Sequence, residues 1–276
     1  YAPNRNKNYS YEKYADLIYE IFVTQKSAGF VTPGHEEIEL ALIRLYRATG
    51  TEKYLDLAKF FINERGKIKE VNRGFDNPLY MQSEKPVREM SEANGHAVRA
   101  CYLYAAMALM AKETGDEELF LSCKRLYSDI VEKKMYITGG IGQSDIGEAF
   151  TVAYDLPPET AYAETCAAIS LMFFSENMLS LENDSVYADT IERIMYNGML
   201  SGLSADGKAF FYENPLEVNL RNHKKNVSVN RQLRLPITQR KEVFECSCCP
   251  PNLNRVLSSM ESYIYRVGGK TLYIDQ

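Results

Sequence analysis

The sequence predicts an all-α protein, an α/α toroid built as an incomplete barrel of helical hairpins, with a short β segment near the C-terminus. Three observations predict it. Apolar residues recur every three or four positions through successive segments, which is the helical period. A hairpin motif repeats: Arg47 to Lys59 (Arg-Ala-Thr-Gly-Thr-Glu-Lys) aligns with Lys112 to Lys124 (Lys-Glu-Thr-Gly-Asp-Glu-Glu) at an offset of 65 residues, and Glu182 to Glu192 is a fainter copy in which Ser185 sits 133 positions after Glu52. Tight polar turns also alternate with long glycine-rich excursions, which favours a ring whose loops converge on one end. A helical hairpin cannot bury its apolar face alone and must stack on its neighbours.

In chain order, Tyr11 to Gln25 carries Tyr14, Ala15, Leu17, Ile18 and Ile21 at helical spacing. Glu36 to Thr49 follows, with Ile38, Ala41, Leu42 and Leu45 on one face and Gly50 as a stop. Glu52 to Glu64 is the return helix. After a polar loop over 72–86, an apolar pattern runs from Val87 to Thr114 and stops at Gly115; Asp116 then caps a helix ending near Lys134. The loop from Tyr136 to Glu148 is rich in glycine. It lacks the spacing, the preceding strand and the Lys-Ser/Thr of a nucleotide fingerprint. Ala167 to Phe174 is the apolar body of a further helix. Lys208 to Gln239 turns strand-like, Asn252 to Tyr265 reads as a helix with Leu253, Val256, Leu257, Met260 and Ile264 in one stripe, and Lys270 to Asp275 reads as β.

Composition excludes several classes. At 276 residues the chain buries a large core. A net charge of −5 gives no reason to expect nucleic acid, and the basic run Arg221 to Lys225 with Arg231, Arg234, Arg240 and Lys241 reads as a solvated hairpin. No apolar run reaches the roughly 18 residues of a membrane span, so no membrane partner is expected. Residue 1 is Tyr, and a natural start upstream is expected. Six clustered cysteines point to metal or catalysis in a reducing, cytoplasmic compartment rather than to a disulfide scaffold.

The chemistry concentrates at Glu245-Cys246-Ser247-Cys248-Cys249-Pro250-Pro251-Asn252, where three of the six cysteines fall within four positions. Proline is well tolerated in a first helical turn, so Cys248 and Cys249 are expected at a helix N-terminus, where partial positive charge favours thiolate. A second pair is Glu164 and Cys166. Two residues apart, they would diverge by about 200° on a helix. In extended backbone they share a face. If they hold one ligand, Tyr162 to Cys166 is extended or irregular and the helix begins at about Cys166.

Glu164-Thr165-Cys166, the run Phe211 to Glu217 (Phe-Tyr-Glu-Asn-Pro-Leu-Glu) and the run Cys248 to Arg255 (Cys-Cys-Pro-Pro-Asn-Leu-Asn-Arg) resemble the signature of the β-L-arabinofuranosidase family, glycoside hydrolase family 127. Gly95 to Arg99 and the Glu148 loop fit it in the same order, so the resemblance spans nearly the whole chain. It implies an α/α-barrel catalytic domain (residues 1–266) lacking its first part, and the start of a β-sandwich domain (267–276). It also implies a Zn²⁺ ion held by Glu164, Cys166, Cys248 and Cys249, with Cys248 as nucleophile and Glu148 as general acid/base. His96, His35 and Tyr212 match positions around the sugar. The function implied is a retaining hydrolase of a carbohydrate substrate, most simply β-L-arabinofuranose, and a homodimer through the missing β domains is conceivable. The physical chemistry is compatible: three thiolates and one carboxylate around Zn²⁺ leave a net charge of −2 and an electron-rich sulfur. Glu148 must begin protonated, so burial and nearby negative charge are expected to raise its pKa.

Plainer readings stand beside these. The sulfur site could be a structural zinc clamp in a non-catalytic binding module, or Cys248 and Cys249 could form a vicinal disulfide. Cys101 and Cys123 read as core residues, His96 could be a satisfied core histidine, and His223 reads as exposed. Tyr162, Tyr212 and Phe210-Phe211 could simply pack. Glu148 discriminates, because a structural site needs no carboxylate opposite the sulfur.

Overall fold

The computed structural model describes residues 5–67, 77–222 and 235–275. Helix α1 (Arg5–Tyr19) runs into a π turn at Glu20–Thr24, beginning and ending earlier than the Tyr11 to Gln25 expectation. Three hairpins follow: α2 (Ile38–Thr49) with α3 (Glu52–Glu64), α4 (Ala97–Thr114) with α5 (Glu117–Lys133), and α6 (Thr165–Leu179) with α7 (Ser185–Arg193). The first two turn at Gly50 (φ 70°) and Gly115 (φ 68°), left-handed positions that glycine occupies without a Cβ penalty. Asp116 Oδ1 accepts from the Leu119 N–H at 2.9 Å and Asp184 Oδ1 from the Val186 N–H at 3.0 Å, so both return helices start on a carboxylate cap.

Burial sorts the helices into two layers. Helices α4 and α6 are apolar nearly all round and buried along almost their whole length, as helices enclosed by protein must be. Helices α3, α5 and α7 bury a single stripe. Contacts are most extensive between α4 and α6, and α2 also packs on α4 while α6 packs on α7 and α8. The inner helices are therefore α2, α4, α6 and α8 (Cys249–Leu257), with the return helices outside, the arrangement of a helical toroid. Since one outer helix separates each inner helix from the next, the inner helices run parallel. Their N-termini, preceded by the long excursions, share one end of the fold.

The apolar pattern from Val87 to Thr114 is not one helix. A 3₁₀ turn at Val87–Glu89 precedes an irregular stretch, and α4 begins only at Ala97. The break is set at Gly95 (φ 70°), where a Cβ would lie 1.8 Å from the Leu79 carbonyl oxygen. The Asn252 to Tyr265 helix is also interrupted: α8 ends at Leu257, a short α9 (Glu261–Ile264) follows, and the chain enters the antiparallel pair β1 (Tyr265–Gly268) and β2 (Thr271–Ile274). Among the described residues no strand forms within 208–239. His223, Lys224, Lys225, Arg231 and Arg234 lie outside the described residues. The described part of that segment makes isolated bridges instead, Phe210 with Leu203 and Lys241, and Glu213 with Glu164. Pro215 supplies no N–H, and the backbone around it pairs with the excursion before α6 and its first residue: the Asn214 N–H donates to Tyr162 O at 3.1 Å, the Leu216 N–H to Pro158 O at 3.0 Å, and Tyr212 O accepts from the Thr165 N–H at 2.9 Å. This pairing lays Tyr212 beside Glu164. No helix among the described residues is long and apolar enough to cross a membrane.

Candidate active site

The site is built from the N-termini of the inner helices. His96 is the N-cap of α4, Glu164 of α6 and Cys248 of α8, and none of these three side chains caps its own helix. All are thereby free to point into the common end. Glu164 has φ −60° and ψ 139°, and α6 starts at Thr165, so Tyr162 to Glu164 is non-helical as expected, while Thr165 and Cys166 lie in the first helical turn, one residue earlier than the expected start. Ala163 takes φ 41°.

Glu164, Cys166, Cys248 and Cys249 converge, with one ligand atom of each within 4.8 Å of all the others. Cys166 Sγ lies 3.5 Å and Cys248 Sγ 3.8 Å from Cys249 Sγ, while Glu164 Oε1 is 3.3 Å from Cys248 Sγ and 3.8 Å from Cys249 Sγ. A tetrahedral ion with sulfurs at about 2.3 Å and an oxygen at about 2.0 Å has edges of roughly 3.5–3.8 Å. The donor types suit such an ion, and the four edges measured lie at or near this range, with all ligand atoms within 4.8 Å of one another. Glu164 Oε2 is buried without a hydrogen-bond partner, a cost that a cation would offset. Burial, and then the Cys248 charge, push the Glu164 carboxyl well above the usual range. Bonds from the Cys166 and Cys249 thiols, and from the Tyr212 hydroxyl at 3.3 Å, pull the Cys248 thiol down. Cys166 is pushed up by donating to Cys248 and Cys249, and by burial. Cys249 accepts from Cys166, but donation to Cys248 and burial raise it.

Glu148 stands beside this cluster. The Ser144–Ala149 and His96–Ala149 bridges, with Phe150 N–H on Gly95 O at 2.9 Å, fold its loop against the start of α4. Glu148 takes φ 52°, a left-handed conformation uncommon outside glycine and often found at functional positions. His96 Nε2 lies 2.6 Å from Glu148 Oε2, and the Tyr162 hydroxyl donates to Oε1 at 2.5 Å. The His96 bond, the largest influence, and the Tyr162 bond outweigh burial and hold the Glu148 carboxyl below its usual range. This corrects the expectation of a raised pKa: two donors stabilise the carboxylate more than burial and the Cys248 charge oppose it.

Of the residues singled out in the sequence, Glu148, His96, Tyr212, Glu164, Cys166, Cys248 and Cys249 are brought together. His35 is not in contact with them. Its residue surface is exposed overall, but its ring packs toward Tyr102 with centroids 6.1 Å apart, and burial on that side, with the charge of Arg99, lowers its pKa to about 4. The buried Arg65 holds that segment, donating to Glu36 at 2.9 Å, Glu39 at 3.2 Å and the Pro33 carbonyl at 3.1 Å. Cys101 and Cys123 are fully buried in the core. Tyr162, read as packing, is a partner of Glu148. It precedes Glu164 by two residues, the same spacing that flagged Glu164 with Cys166. A cleft of about 390 Å³ opens over Glu148, Tyr162, Tyr212, Lys241, Phe244 and Cys246.

Fold and site together define a helical toroid with a sulfur-rich cluster able to hold a metal ion beside a hydrogen-bonded carboxylate at its open end. The family model described as β-L-arabinofuranosidase, GH127 catalytic domain, matches residues 9–262, and the chain belongs to that family, glycoside hydrolase family 127. It is 38% identical over 282 aligned residues to a non-reducing end β-L-arabinofuranosidase of Bifidobacterium longum subsp. longum, covering 96% of this chain and 42% of that protein. Among solved structures it is similar to a GH127 β-L-arabinofuranosidase from Geobacillus stearothermophilus T6 (TM-score 0.85, 43% identity, 96% of this chain and 43% of that one). A GH127 β-arabinofuranosidase structure aligns with TM-score 0.84 and 40% identity, covering 96% and 38%. The chain thus spans less than half the length of each of these relatives.

Proposed function

We propose that this chain is the catalytic part of a retaining glycoside hydrolase that releases β-L-arabinofuranose, with Cys248 as nucleophile, Glu148 as acid/base and Zn²⁺ held by Glu164, Cys166, Cys248 and Cys249. The observation that carries the reading is the placement of Glu148, fixed by His96 and Tyr162, beside a sulfur cluster whose edges fit a tetrahedral ion. When bound, the metal keeps the Cys248 sulfur deprotonated and electron-rich at neutral pH.

Cys248 Sγ attacks the anomeric carbon as the bond from that carbon to the leaving oxygen breaks, and Glu148 gives that oxygen a proton. A covalent sugar–sulfur intermediate results. Glu148 then takes a proton from water, whose oxygen displaces the sulfur and restores the starting configuration. The His96 and Tyr162 donors favour the carboxylate that the second step needs. Burial and the Cys248 charge favour the acid that the first step needs. Tyr212, bonded to Cys248, orients the sulfur, and His96 and His35 face the sugar. A β-sandwich opening with β1, two residues ahead of the expected 267 boundary, and a homodimer through domains outside this chain, complete the reading.

Full-length Glu148→Gln and Cys248→Ser proteins test it on aryl glycosides. The Glu148 variant is expected to keep its zinc, to lose most activity on poor leaving groups and to respond to azide on good ones. The Cys248 variant is expected to be inactive on every substrate. Near-normal turnover by Cys248→Ser would make the sulfur cluster structural and end the thiolate mechanism.

A further inference from the structure

Cys166 Sγ has a partner outside the four-ligand cluster. Asn252, buried in the first turns of α8, points Nδ2 at it across 3.1 Å. The amide cannot be turned over. Its Oδ1 accepts from the buried Tyr102 hydroxyl at 3.0 Å and also from Arg255 Nη2. Two donors on that oxygen leave only the N–H₂ end for the sulfur, since a reversed amide would set donors against donors. Arg255 is fixed in turn. Its guanidinium stacks 4.9 Å over the Phe173 ring, bonds Tyr102 and pairs with Glu37 at 3.2 Å. Glu37 precedes α2, Tyr102 is on α4, Cys166 on α6, and Asn252 and Arg255 on α8. The amide thereby joins α4, α6 and α8, and Arg255 extends the link to the residue preceding α2, at the end where the ligands meet.

We propose that Asn252 is a positioning residue of the metal centre: its amide N–H fixes the Cys166 sulfur and draws negative charge from it, and the Tyr102–Arg255 pair holds the amide in that orientation. The proposal rests on the reading that the sulfur cluster holds a metal. A donor on one thiolate lowers its donation to the ion and sets its direction, and loss of such outer partners costs metal sites about 10- to 100-fold in affinity. Cys248 has its own partner outside the cluster, the Tyr212 hydroxyl, so the two sulfurs are positioned by separate donors.

The test uses the full-length protein in zinc and cobalt(II) forms. Asn252→Asp keeps the oxygen that faces Tyr102 and Arg255 and replaces only the donor facing sulfur. It is expected to bind zinc about 10- to 100-fold more weakly in chelator competition. The sulfur-to-cobalt charge-transfer band is expected to move to lower energy, because the sulfur is no longer relieved of charge. Asn252→Ala removes the donor without adding charge and moves the band the same way, so the question stays answerable if the Asp variant does not fold. Tyr102→Phe keeps the donor and frees the amide, and produces a smaller change in the same direction. Wild-type zinc affinity and an unmoved band in the folded Asn252 variants would overturn the proposal. So would a loss confined to the thermal midpoint of the metal-free protein, which is what packing alone predicts. A wild-type protein that takes up neither metal would overturn the metal reading itself, and is distinguishable from both.

Discussion

Arg65 is wholly buried between two wholly buried carboxyl groups, Glu36 at 2.9 Å and Glu39 at 3.2 Å. One guanidinium stands between two carboxyl groups, and although the charge of Arg99 also favours the ionised Glu36, burial outweighs both. Burial, partly offset by Arg65, raises the Glu36 pKa from 4.5 to about 7, and burial raises Glu39 as well. Between those limits the native state holds a proton on Glu36 that the unfolded chain has released, so stability falls as pH rises through about 4.5 to 7. A displacement of about 2.5 pH units at 1.36 kcal/mol each corresponds to roughly 3 kcal/mol. Glu36→Gln keeps an oxygen for Arg65 and removes the titration. Urea unfolding of both proteins at pH 5, 6, 7 and 8, with zinc fixed, isolates the term because other titrations cancel in the difference. Near pH 5 the two should be about equally stable, and at pH 8 the Gln protein should lead by roughly 3 kcal/mol. Stability curves that run parallel across this range would show that Glu36 does not carry that proton.

Tyr162→Phe removes the hydroxyl that donates to Glu148; a bond to a charged group contributes about 1.5–3 kcal/mol, so kcat/KM should fall roughly 10- to 100-fold with zinc content unchanged. Unchanged kinetics would return Tyr162 to a packing role. Chelation of the metal leaves Glu164 buried among thiols and should lower the unfolding free energy, by about 4 kcal/mol when free zinc had been a thousand times its Kd. A scanning-calorimetry Tm that is unmoved by chelator and by added zinc would count against a bound metal.

Local chemistry alone determined much of this protein. Gly50, Gly115 and Asp116 end and start helices because their backbone preferences and capping bonds involve only neighbouring residues. The 65-residue repeat announced stacked hairpins, and the prolines after Cys249 placed that residue at a helix start. The Glu164–Cys166 spacing called for a helix start near Cys166; α6 starts one residue earlier, at Thr165, and the extended Glu164 N-cap still turns its side chain toward the Cys166 side. Tertiary structure decided what depends on residues far apart in the chain. The strand-like 208–222 stretch pairs in part with the excursion before α6 instead of forming a sheet, because the Tyr212 carbonyl and the Asn214 and Leu216 N–H groups find partners there. Glu148 is a stabilised carboxylate because His96 and Tyr162 arrive from other segments. Asn252 reads as one more polar residue of a helix until Tyr102, 150 positions away, fixes which end of its amide meets sulfur. Spacing along a chain sets which side chains share a face, but only packing sets which faces meet.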